Sequence, residues 1–554
     1  MTSESQLQIS NYTINYHQLG YHIIQCVALT HLLCCVSLKK PFMKRSVAAL
    51  LVLVCLSCTR PDSQTTHHDL SVVKTSGGLI SGSYEDSVFI FKGVPYAAPP
   101  VGDLRWKAPQ PVTRWEDTLK CVAFGASAVQ NDPKPFMMWS EEFITPPQPL
   151  SEDCLFLNIW SGARTASDRL PVFVWIHGGA FNSGSGACAI YDGAAMAKQG
   201  IVFVSINYRL GVFGFLAHPE LTRESERSAS GNYGLMDQVA ALQWIKENIQ
   251  AFGGDPAKVT IGGQSAGSMS VQALIASPLT RGLVHGAIAQ SGAGRQLRSL
   301  SEAEKTGDSF AELLKSSSLQ QLRSLPADTV LTYANKLPFG SFFPIQDGYM
   351  LPDQLSSVFS SKEHIDVPLL AGWVTGDGAL AGAKPMPAKE FREHINTTFG
   401  PQASAVLTLF PASDDKQAAE SQSKLAALRF AGVPDYQWAV ANSSRSYLYE
   451  FTYVPTDKPG FPNYGAFHTS EVPFALHTLD HWERPWQESD RIVEGYMSAY
   501  WLNFIKTGNP NGSELPEWKP YTVQSGNMMQ FGAKPQPLPG TYRKAFELLS
   551  SSIF

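Results

Sequence analysis

Continuous apolar runs alternate along most of this chain with segments in which apolar residues recur at helical spacing. The runs at 172–176, 201–206, 287–289 and 367–371 predict strands buried on both faces, as in a parallel sheet that helices cover. Between the second and third runs, apolar residues recur at helical spacing over 235–249. The alternation predicts an α/β fold with one dominant, mostly parallel sheet and helices on both faces.

Two longer stretches, about 298–340 and about 385–440, are helix-like and polar on one face. We interpret both as insertions that form a helical cap over the functional site. No internal repeat and no long low-complexity break occurs from residue 72 onward. We therefore predict that residues 71–554 form a single α/β domain.

The N-terminal region has the pattern of an export signal. A basic start, a short apolar stretch and small residues at its end predict a signal peptide over 43–57, too short for a permanent membrane span. The pattern is typical of a bacterial lipoprotein, with Cys58 lipidated after cleavage and 58–70 as a polar linker. Residues 1–42 are then a non-native or disordered upstream extension; the alternative is one membrane anchor over 1–57. We expect a periplasmic or outer-membrane-attached lipoprotein, or a secreted protein, that contacts a membrane only through its lipid.

Composition narrows the choice of partners and cofactors. The 554 residues carry a formal net charge of -5 and no long basic stripe, so nucleic-acid binding has no electrostatic support. Five of the eight cysteines precede residue 59, which leaves Cys121, Cys154 and Cys188. These three form no C-x-x-C and no His/Cys cluster with the spacing of metal ligands, so no metal and no cofactor are predicted. Export permits a disulfide, and Cys121–Cys154 is the pair we predict.

The pentapeptide Gly263-Gln264-Ser265-Ala266-Gly267 is a G-x-S-x-G motif between a strand-like run and a helix-like segment. Strand-turn-helix is the setting in which this motif forms a nucleophile elbow. Small flanking residues permit a tight turn that lifts the serine hydroxyl into a cleft. Ser265 is therefore the predicted nucleophile, and it needs a base because a hydroxyl is a poor nucleophile at neutral pH.

His468 is the predicted base. It lies after the strand-like run 447–451, in a loop that contains Gly465, and so at the carboxyl edge of the sheet. Nucleophile, acid and histidine follow one another in this order in serine hydrolases of this architecture. His477 is nearby, but it follows an apolar segment and is interpreted as a helical or packing residue. The alternative for His468 is an ordinary histidine in a surface loop.

Asp377 is the predicted acid that orients the imidazole. It follows the strand at 367–371 and is flanked by glycines that suit a tight turn. The alternative is a plain turn aspartate. Three other acids compete: Asp347 and Asp353 lie in an irregular Pro/Gly segment, and Asp366 precedes the strand instead of following it.

A second glycine-rich loop, His177-Gly178-Gly179-Ala180-Phe181, follows the strand at 172–176. Adjacent small residues let backbone N–H groups approach a ligand without side-chain interference. We predict an oxyanion hole with N–H donors from Gly179 and Ala180, and a third from Ala266 directly after the nucleophile. The start of a helix at Ala266 adds favourable partial positive charge.

These motifs resemble the type-B carboxylesterase family, the cholinesterase-like and para-nitrobenzyl-esterase-like branch of the α/β-hydrolase fold. The likeness runs from about residue 72 to about residue 530. The segments that carry it are 91–97, 152–158, 175–181, 207–209, 231–238, 252–256, 501–504 and 507–510. The resemblance implies an α/β-hydrolase catalytic domain and a Ser-acid-His esterase with the donors named above.

The chain departs from the family pattern at three places. The family's acid is usually glutamate, and the matching position here is Asp377. The oxyanion loop is Gly-Gly-Ala instead of the common Gly-Gly-Gly, a loop type associated with tolerance of bulky alcohols. The family's first disulfide cysteine is replaced by Ala128, so Cys154 lacks its usual partner and a bond to Cys121 needs a different local path.

The predicted function is a serine carboxylesterase that works through an acyl-enzyme on a small-molecule ester, with short- to medium-chain acyl groups or bulky alcohols. The alternatives are an amidase or carbamate hydrolase with the same triad, and a non-catalytic cholinesterase-like binding module. The predicted pocket residues are Phe181, Trp139, Phe342 and Phe343, all of which are equally compatible with a core role. We expect a monomer or a weak oligomer.

Overall fold

The computed structural model describes residues 70–147, 149–292, 294, 296–381 and 385–550. The predicted upstream extension, signal peptide and lipidation site, and the linker up to residue 69, lie outside the described residues. None of the described helices is long and apolar enough to cross a membrane.

Eighteen strands are described, most of them short. In chain order they are β1 (Val72–Lys74), β2 (Leu79–Ser81), β3 (Ser83–Glu85), β4 (Val88–Pro95), β5 (Leu119–Lys120), β6 (Ser127–Ala128), β7 (Leu150–Ser151), β8 (Phe156–Ser161), β9 (Leu170–Ile176), β10 (Val202–Ile206), β11 (Gly254–Gln264), β12 (Gly286–Gln290), β13 (Arg298–Ser299), β14 (Ile345–Gln346), β15 (Leu369–Val374), β16 (Ser446–Phe451), β17 (Met528–Phe531) and β18 (Pro535–Pro537).

One sheet of eleven strands organises the domain, in the order β18-β17-β16-β15-β12-β11-β9-β10-β8-β4-β3. The strands from β17 to β10 in this order pair in parallel, and antiparallel strands complete both edges. Every residue of β10, β12, β15 and β16 is buried, as expected for strands covered by helices on both faces. The α/β-hydrolase prediction is confirmed, and the apolar runs that predicted the strands fall within or overlap β9, β10, β12 and β15.

Sixteen α-helices are described. They are α1 (Ala194–Lys198), α2 (Gly211–Phe215), α3 (Pro219–Glu224), α4 (Tyr233–Asn248), α5 (Ala266–Ala276), α6 (Leu300–Leu313), α7 (Leu319–Ser324), α8 (Ala327–Ala334), α9 (Leu355–Ser360), α10 (Ala388–Phe399), α11 (Ala403–Leu409), α12 (Asp415–Ala427), α13 (Val433–Ala441), α14 (Val472–Leu476), α15 (Glu488–Thr507) and α16 (Arg543–Ser550).

The two predicted insertions are helical. The first contains α6 to α8, and the second contains α10 to α13. A π-helical turn at Leu428–Gly432 joins α12 to α13 and interrupts what would otherwise be one long helix. Such turns are frequent at functional sites, and this one carries Phe430 toward the loop that follows β16.

The predicted Cys121–Cys154 disulfide is wrong, because both side chains are buried free thiols. Backbone hydrogen bonds hold Cys121 between β2 and β4: its N–H donates to Ser81 and its carbonyl accepts from Lys92. Cys154 precedes β8 and lines a small cavity together with Ala128, the residue at the position of the family's usual cysteine. The two thiols therefore lie on separate segments, one directly after β5 and the other shortly before β8.

Candidate active site

Ser265 occupies a sharp turn between β11 and α5. Its backbone has φ 58° and ψ -121°, a conformation that non-glycine residues rarely adopt. The neighbouring glycines are needed for space: a Cβ on Gly267 would lie 2.0 Å from the carbonyl oxygen of Ile176, and one on Gly263 would lie 2.6 Å from the carbonyl carbon of Gly267. The turn leaves Ser265 half-buried at the carboxyl edge of the sheet, where the sequence placed the nucleophile.

The loop after β9 lies directly against this turn. A Cβ on Gly178 would lie 2.7 Å from the carbonyl oxygen of Gln264 and 3.2 Å from the Ser265 Cβ. Gly179, Ala180 and Phe181 all have positive φ, at 102°, 51° and 57°. Such a run turns successive N–H groups toward one side, which makes a concave site for an anion.

The donors predicted for the oxyanion hole are available. No described residue accepts a hydrogen bond from the backbone N–H of Gly179 or Ala180. Ala266 is the first residue of α5, so its N–H has no acceptor within the helix. The Gly179 carbonyl accepts N–H bonds from Asn182 and Ser183, each at 3.0 Å, which hold the loop in this shape.

The predicted acid and the predicted base are in contact behind the turn. Asp377 follows β15, His468 follows β16, and the Asp377 Oδ1 lies 2.6 Å from the His468 Nδ1. Both side chains are buried, at 0% and 3% exposed. The second carboxylate oxygen accepts the backbone N–H of Val374 at 3.1 Å. With Nδ1–H directed at a carboxylate, the lone pair of the imidazole is on Nε2, the arrangement that a general base requires.

The imidazole is enclosed by three further side chains. The Gln264 amide nitrogen lies 3.0 Å from Nε2 and 3.3 Å from Nδ1. Trp139 and Phe430 approach the ring in edge geometry, with centroid distances of 6.4 and 5.7 Å. Among the described residues no hydrogen bond joins the Ser265 hydroxyl to His468, and such bonds are often long before substrate binds.

Two buried carboxyl groups neighbour the Asp377–His468 pair. Burial, with the negative charge of Asp377 adding to it, raises the pKa of Glu471 to about 8. The same two causes, burial first, raise the pKa of Asp435 well above its ordinary range. Both Asp435 oxygens lack a hydrogen-bond partner among the described residues, while one oxygen of Glu471 accepts from Gln290 and Ser291 at 3.4 Å. Burial therefore favours the protonated form of both carboxyl groups.

Sequence reasoning missed these carboxyl groups and the contact of Gln264. For Gln264 and Glu471, their position in the sequence could have indicated a place in the site. Gln264 lies inside the serine pentapeptide, and Glu471 follows His468 by three residues on the same loop. Asp435 is one carboxyl in an otherwise mostly apolar helix, which is a weaker signal because most acidic residues in helices face solvent.

The competing residues lie elsewhere. Asp347, Asp353 and Asp366 each accept hydrogen bonds from nearby backbone N–H groups instead of a histidine. His477 is exposed at the end of α14, with Nδ1 3.2 Å from the Ser498 hydroxyl. In the described ranges, no group of three or more His, Cys, Asp or Glu side chains is arranged to hold a metal ion.

The predicted pocket residues divide into two groups. Trp139 packs on His468, as described above, and Phe181 packs on Phe343 with ring centroids 5.7 Å apart. Phe342 packs on Phe310 of α6 with ring centroids 5.6 Å apart, and like Phe181 it is buried in the core.

Comparisons with known proteins agree with this geometry. The chain matches the model of the carboxylesterase family over residues 69–547. It is 34% identical over 514 residues to the fumonisin B1 esterase of Sphingopyxis macrogoltabida, covering 89% of this chain and 92% of that protein. It is 37% identical over 473 residues to the para-nitrobenzyl esterase of Bacillus subtilis strain 168, covering 81% of this chain and 92% of that protein.

Solved structures show the same likeness. A para-nitrobenzyl esterase structure superposes with a TM-score of 0.75 at 32% identity, covering 87% of this chain and 99% of that one. A carboxylesterase of Geobacillus stearothermophilus also gives a TM-score of 0.75 at 32% identity, with 86% and 99% covered. The resemblance read from the sequence motifs is thereby confirmed. This chain belongs to the carboxylesterase family and is a carboxylic ester hydrolase of the α/β-hydrolase fold.

Proposed function

We propose that Ser265, His468 and Asp377 are the catalytic triad of this esterase. The observation that carries the proposal is the buried 2.6 Å contact between Asp377 and His468. The same imidazole lies 3.0 Å from the side-chain nitrogen of Gln264, the residue directly before Ser265. His468 takes the proton of the Ser265 hydroxyl as its oxygen attacks the ester carbonyl. The protonated imidazole then gives that proton to the leaving alcohol, and water repeats the sequence on the acyl-enzyme to release the acid.

The negative charge of each tetrahedral intermediate is held by backbone donors. We assign this role to the N–H groups of Gly179, Ala180 and Ala266. Those of Gly179 and Ala180 have no acceptor among the described residues, and that of Ala266 has none within α5. Because these donors are fixed by the backbone before the substrate arrives, they stabilise the developing oxyanion without a cost of reorganisation.

The walls of the site favour apolar esters. The aromatic side chains of Trp139 and Phe430 pack on His468. Because this histidine protonates the leaving oxygen, the two side chains line the part of the site that holds the alcohol. Phe181, the last residue of the oxyanion loop, and Phe343, which packs on it, line the acyl side. Esters of bulky or aromatic alcohols with short- to medium-chain acids fit these walls.

The central test is Ser265→Ala, measured with p-nitrophenyl acetate. We expect activity to fall by roughly three orders of magnitude or more, because the covalent step is lost. Ser309→Ala, an exposed serine on α6, is the matched control and retains full activity. A stoichiometric organophosphate adduct on Ser265 in the wild type also distinguishes an enzyme from a binding module. Retained hydrolysis by the alanine variant removes Ser265 from the mechanism.

A substrate panel tests the assignment of the walls. p-Nitrophenyl esters of increasing acyl length probe the Phe181 side, and acetate esters of increasingly bulky alcohols probe the Trp139 side. A p-nitroanilide and a carbamate are included, because the same triad serves amides and carbamates. We expect the largest kcat/KM values among acetates of bulky alcohols. Preference for the anilide or the carbamate would contradict the ester assignment.

The cellular location is a separate proposal, supported by the N-terminal sequence pattern. We propose export through the 43–57 signal and lipid attachment at Cys58. Expression of the full chain with radiolabelled palmitate should give a labelled, membrane-associated esterase, and Cys58→Ser should abolish the label. Size-exclusion chromatography of protein that begins after Cys58 tests the expected monomer or weak oligomer.

A further inference from the structure

Thr469, directly after the predicted base, has a backbone conformation unusual for its side chain. Its φ is +84°, in the left-handed region where a β-branched residue is a genuine outlier. Such strain persists only where the surroundings enforce it, and it concentrates at functional sites. The contacts of the Thr469 side chain therefore indicate which arrangement requires this backbone conformation.

The Thr469 hydroxyl joins two other side chains. It accepts the indole N–H of Trp139 at 3.1 Å and donates to the Gln264 Oε1 at 3.4 Å. An indole N–H can only donate, so the hydroxyl hydrogen remains available for the amide oxygen. This bond orients the Gln264 carboxamide with its nitrogen toward His468, as the 3.0 and 3.3 Å distances to the ring nitrogens record.

The amide nitrogen lies over the face of the imidazole. Its distances to Nε2 and Nδ1 are nearly equal, which no position in the plane of the ring along the Nε2 lone pair would give. Gln264 therefore limits rotation of the ring and leaves that lone pair free to accept a proton. Asp377 at Nδ1 and Gln264 over the face together hold the plane of the ring.

The other end of this chain of contacts is Trp139, which lies beside exposed side chains. Trp139 is half-buried and pairs with Phe136 across a tight turn, with ring centroids 4.7 Å apart. Phe136 and Met137 in this turn are exposed. A group that packs on Trp139 thus contacts a side chain connected to His468 through two hydrogen bonds and the Gln264 amide contact.

We propose that Trp139 is a positioning residue: through the Thr469 hydroxyl and the Gln264 carboxamide it holds the His468 imidazole in its catalytic orientation. The inference rests on the proposed triad. It assigns Trp139 an effect on the rate of the chemical step in addition to contact with the substrate, and it gives Thr469 and Gln264 roles in the same chain.

The test compares variants that remove one hydrogen bond each. Trp139→Phe keeps an aromatic ring beside His468 but removes the indole N–H, and Thr469→Val keeps the β-branched shape but removes the hydroxyl. With p-nitrophenyl acetate we expect kcat to fall about five- to tenfold in each, the usual effect of one lost neutral hydrogen bond, with KM nearly unchanged. Thr469→Ser restores the hydroxyl and should stay within about twofold of the wild type. Lys134→Ala, exposed in the segment before Trp139, is the control and changes neither constant.

The double variant gives the sharpest result. If the two residues act in one chain, Trp139→Phe with Thr469→Val lowers kcat no further than either alone, because the second substitution interrupts a chain already broken. Multiplicative effects, or a change confined to KM in Trp139→Phe, overturn the proposal and leave Trp139 as a pocket wall. Thermal unfolding of each variant establishes that it is folded. Failure of the triad itself is seen independently, as activity retained by Ser265→Ala.

Discussion

The Ser265 turn and the Asp377–His468 pair, which we propose form one catalytic site, are built in opposite ways. The turn consists of five contiguous residues, 263–267, and its shape comes from close backbone contacts with β9. The pair joins residues separated by 91 positions, brought together because β15 and β16 are neighbours in the sheet. A local motif thus positions Ser265, whereas strand order and buried side chains position His468.

Glycines in the two regions show the difference. Gly267 lies in α5 with no positive φ, but no Cβ fits between it and Ile176. Gly465, in the histidine loop, has φ 67° and nothing within 4 Å of the position of a Cβ. The turn therefore needs glycine for space, and the loop needs it for backbone conformation.

The largest expected effect is on the acid. Asp377→Asn removes the charge that holds the imidazole tautomer while keeping the side-chain size, and we expect kcat to fall by roughly three orders of magnitude with the fold intact. Asp377→Glu retains the carboxylate and should lose about tenfold or less. Steady-state kinetics with p-nitrophenyl acetate measure both. If the asparagine variant keeps a tenth of the activity, another group orients His468.

The second-largest expected effect is a loss of stability from a substitution in the Ser265 turn. Gly267→Ala places a methyl group 2.0 Å from the Ile176 carbonyl oxygen, so α5 and β9 must separate. We expect a loss of about 3 kcal/mol or more in the free energy of unfolding, measured by urea denaturation. Gly495→Ala in α15 has open space around the new methyl group and should be neutral or stabilising. Equal results for the two helical glycines would contradict the packing argument.

A pH-dependent effect tests the buried carboxyls beside the pair. The pKa of Glu471 is about 8 in the fold against an ordinary 4.5, so between these values the unfolded chain releases a proton that the folded chain keeps. Stability is therefore lost as pH rises from 4.5 to 8 and not beyond. Glu471→Gln cannot ionise, so its stability relative to the wild type should grow over this window, by on the order of a few kcal/mol. Urea denaturation at several pH values measures the difference; a constant difference contradicts the assignment.

The smallest effect is expected in the histidine loop. Gly465→Ala meets no atom and suffers only from its positive φ, so we expect a loss of about 1 kcal/mol in the free energy of unfolding and nearly unchanged kcat. Gly465→Asn, a residue that tolerates this conformation, should lose less. A loss as large as that of Gly267→Ala would mean that both regions depend on close packing.

Local sequence patterns predicted those parts of the candidate site that consist of contiguous residues. The Ser265 turn, the Gly179–Ala180 loop and the buried strands follow from glycine placement and apolar runs, because backbone sterics and burial act within a few residues. The choice of Asp377 over Asp347, Asp353 and Asp366 needed chain order and resemblance as well. Such patterns could not predict features that depend on residues distant in sequence. These features are the absence of the Cys121–Cys154 disulfide, the packing of Phe342, and the surroundings of Gln264 and Asp435.

The sequence by itself determined an α/β fold of parallel strands, a serine turn, an anion-binding loop and the membership of a family of ester hydrolases. The tertiary structure alone decided what surrounds His468: Asp377 at one nitrogen, Gln264 over the ring, and the buried carboxyl groups of Asp435 and Glu471 nearby. The reason is physical. Turn geometry is dictated by neighbours along the chain, whereas burial, charge proximity and ring orientation arise only when distant segments pack together.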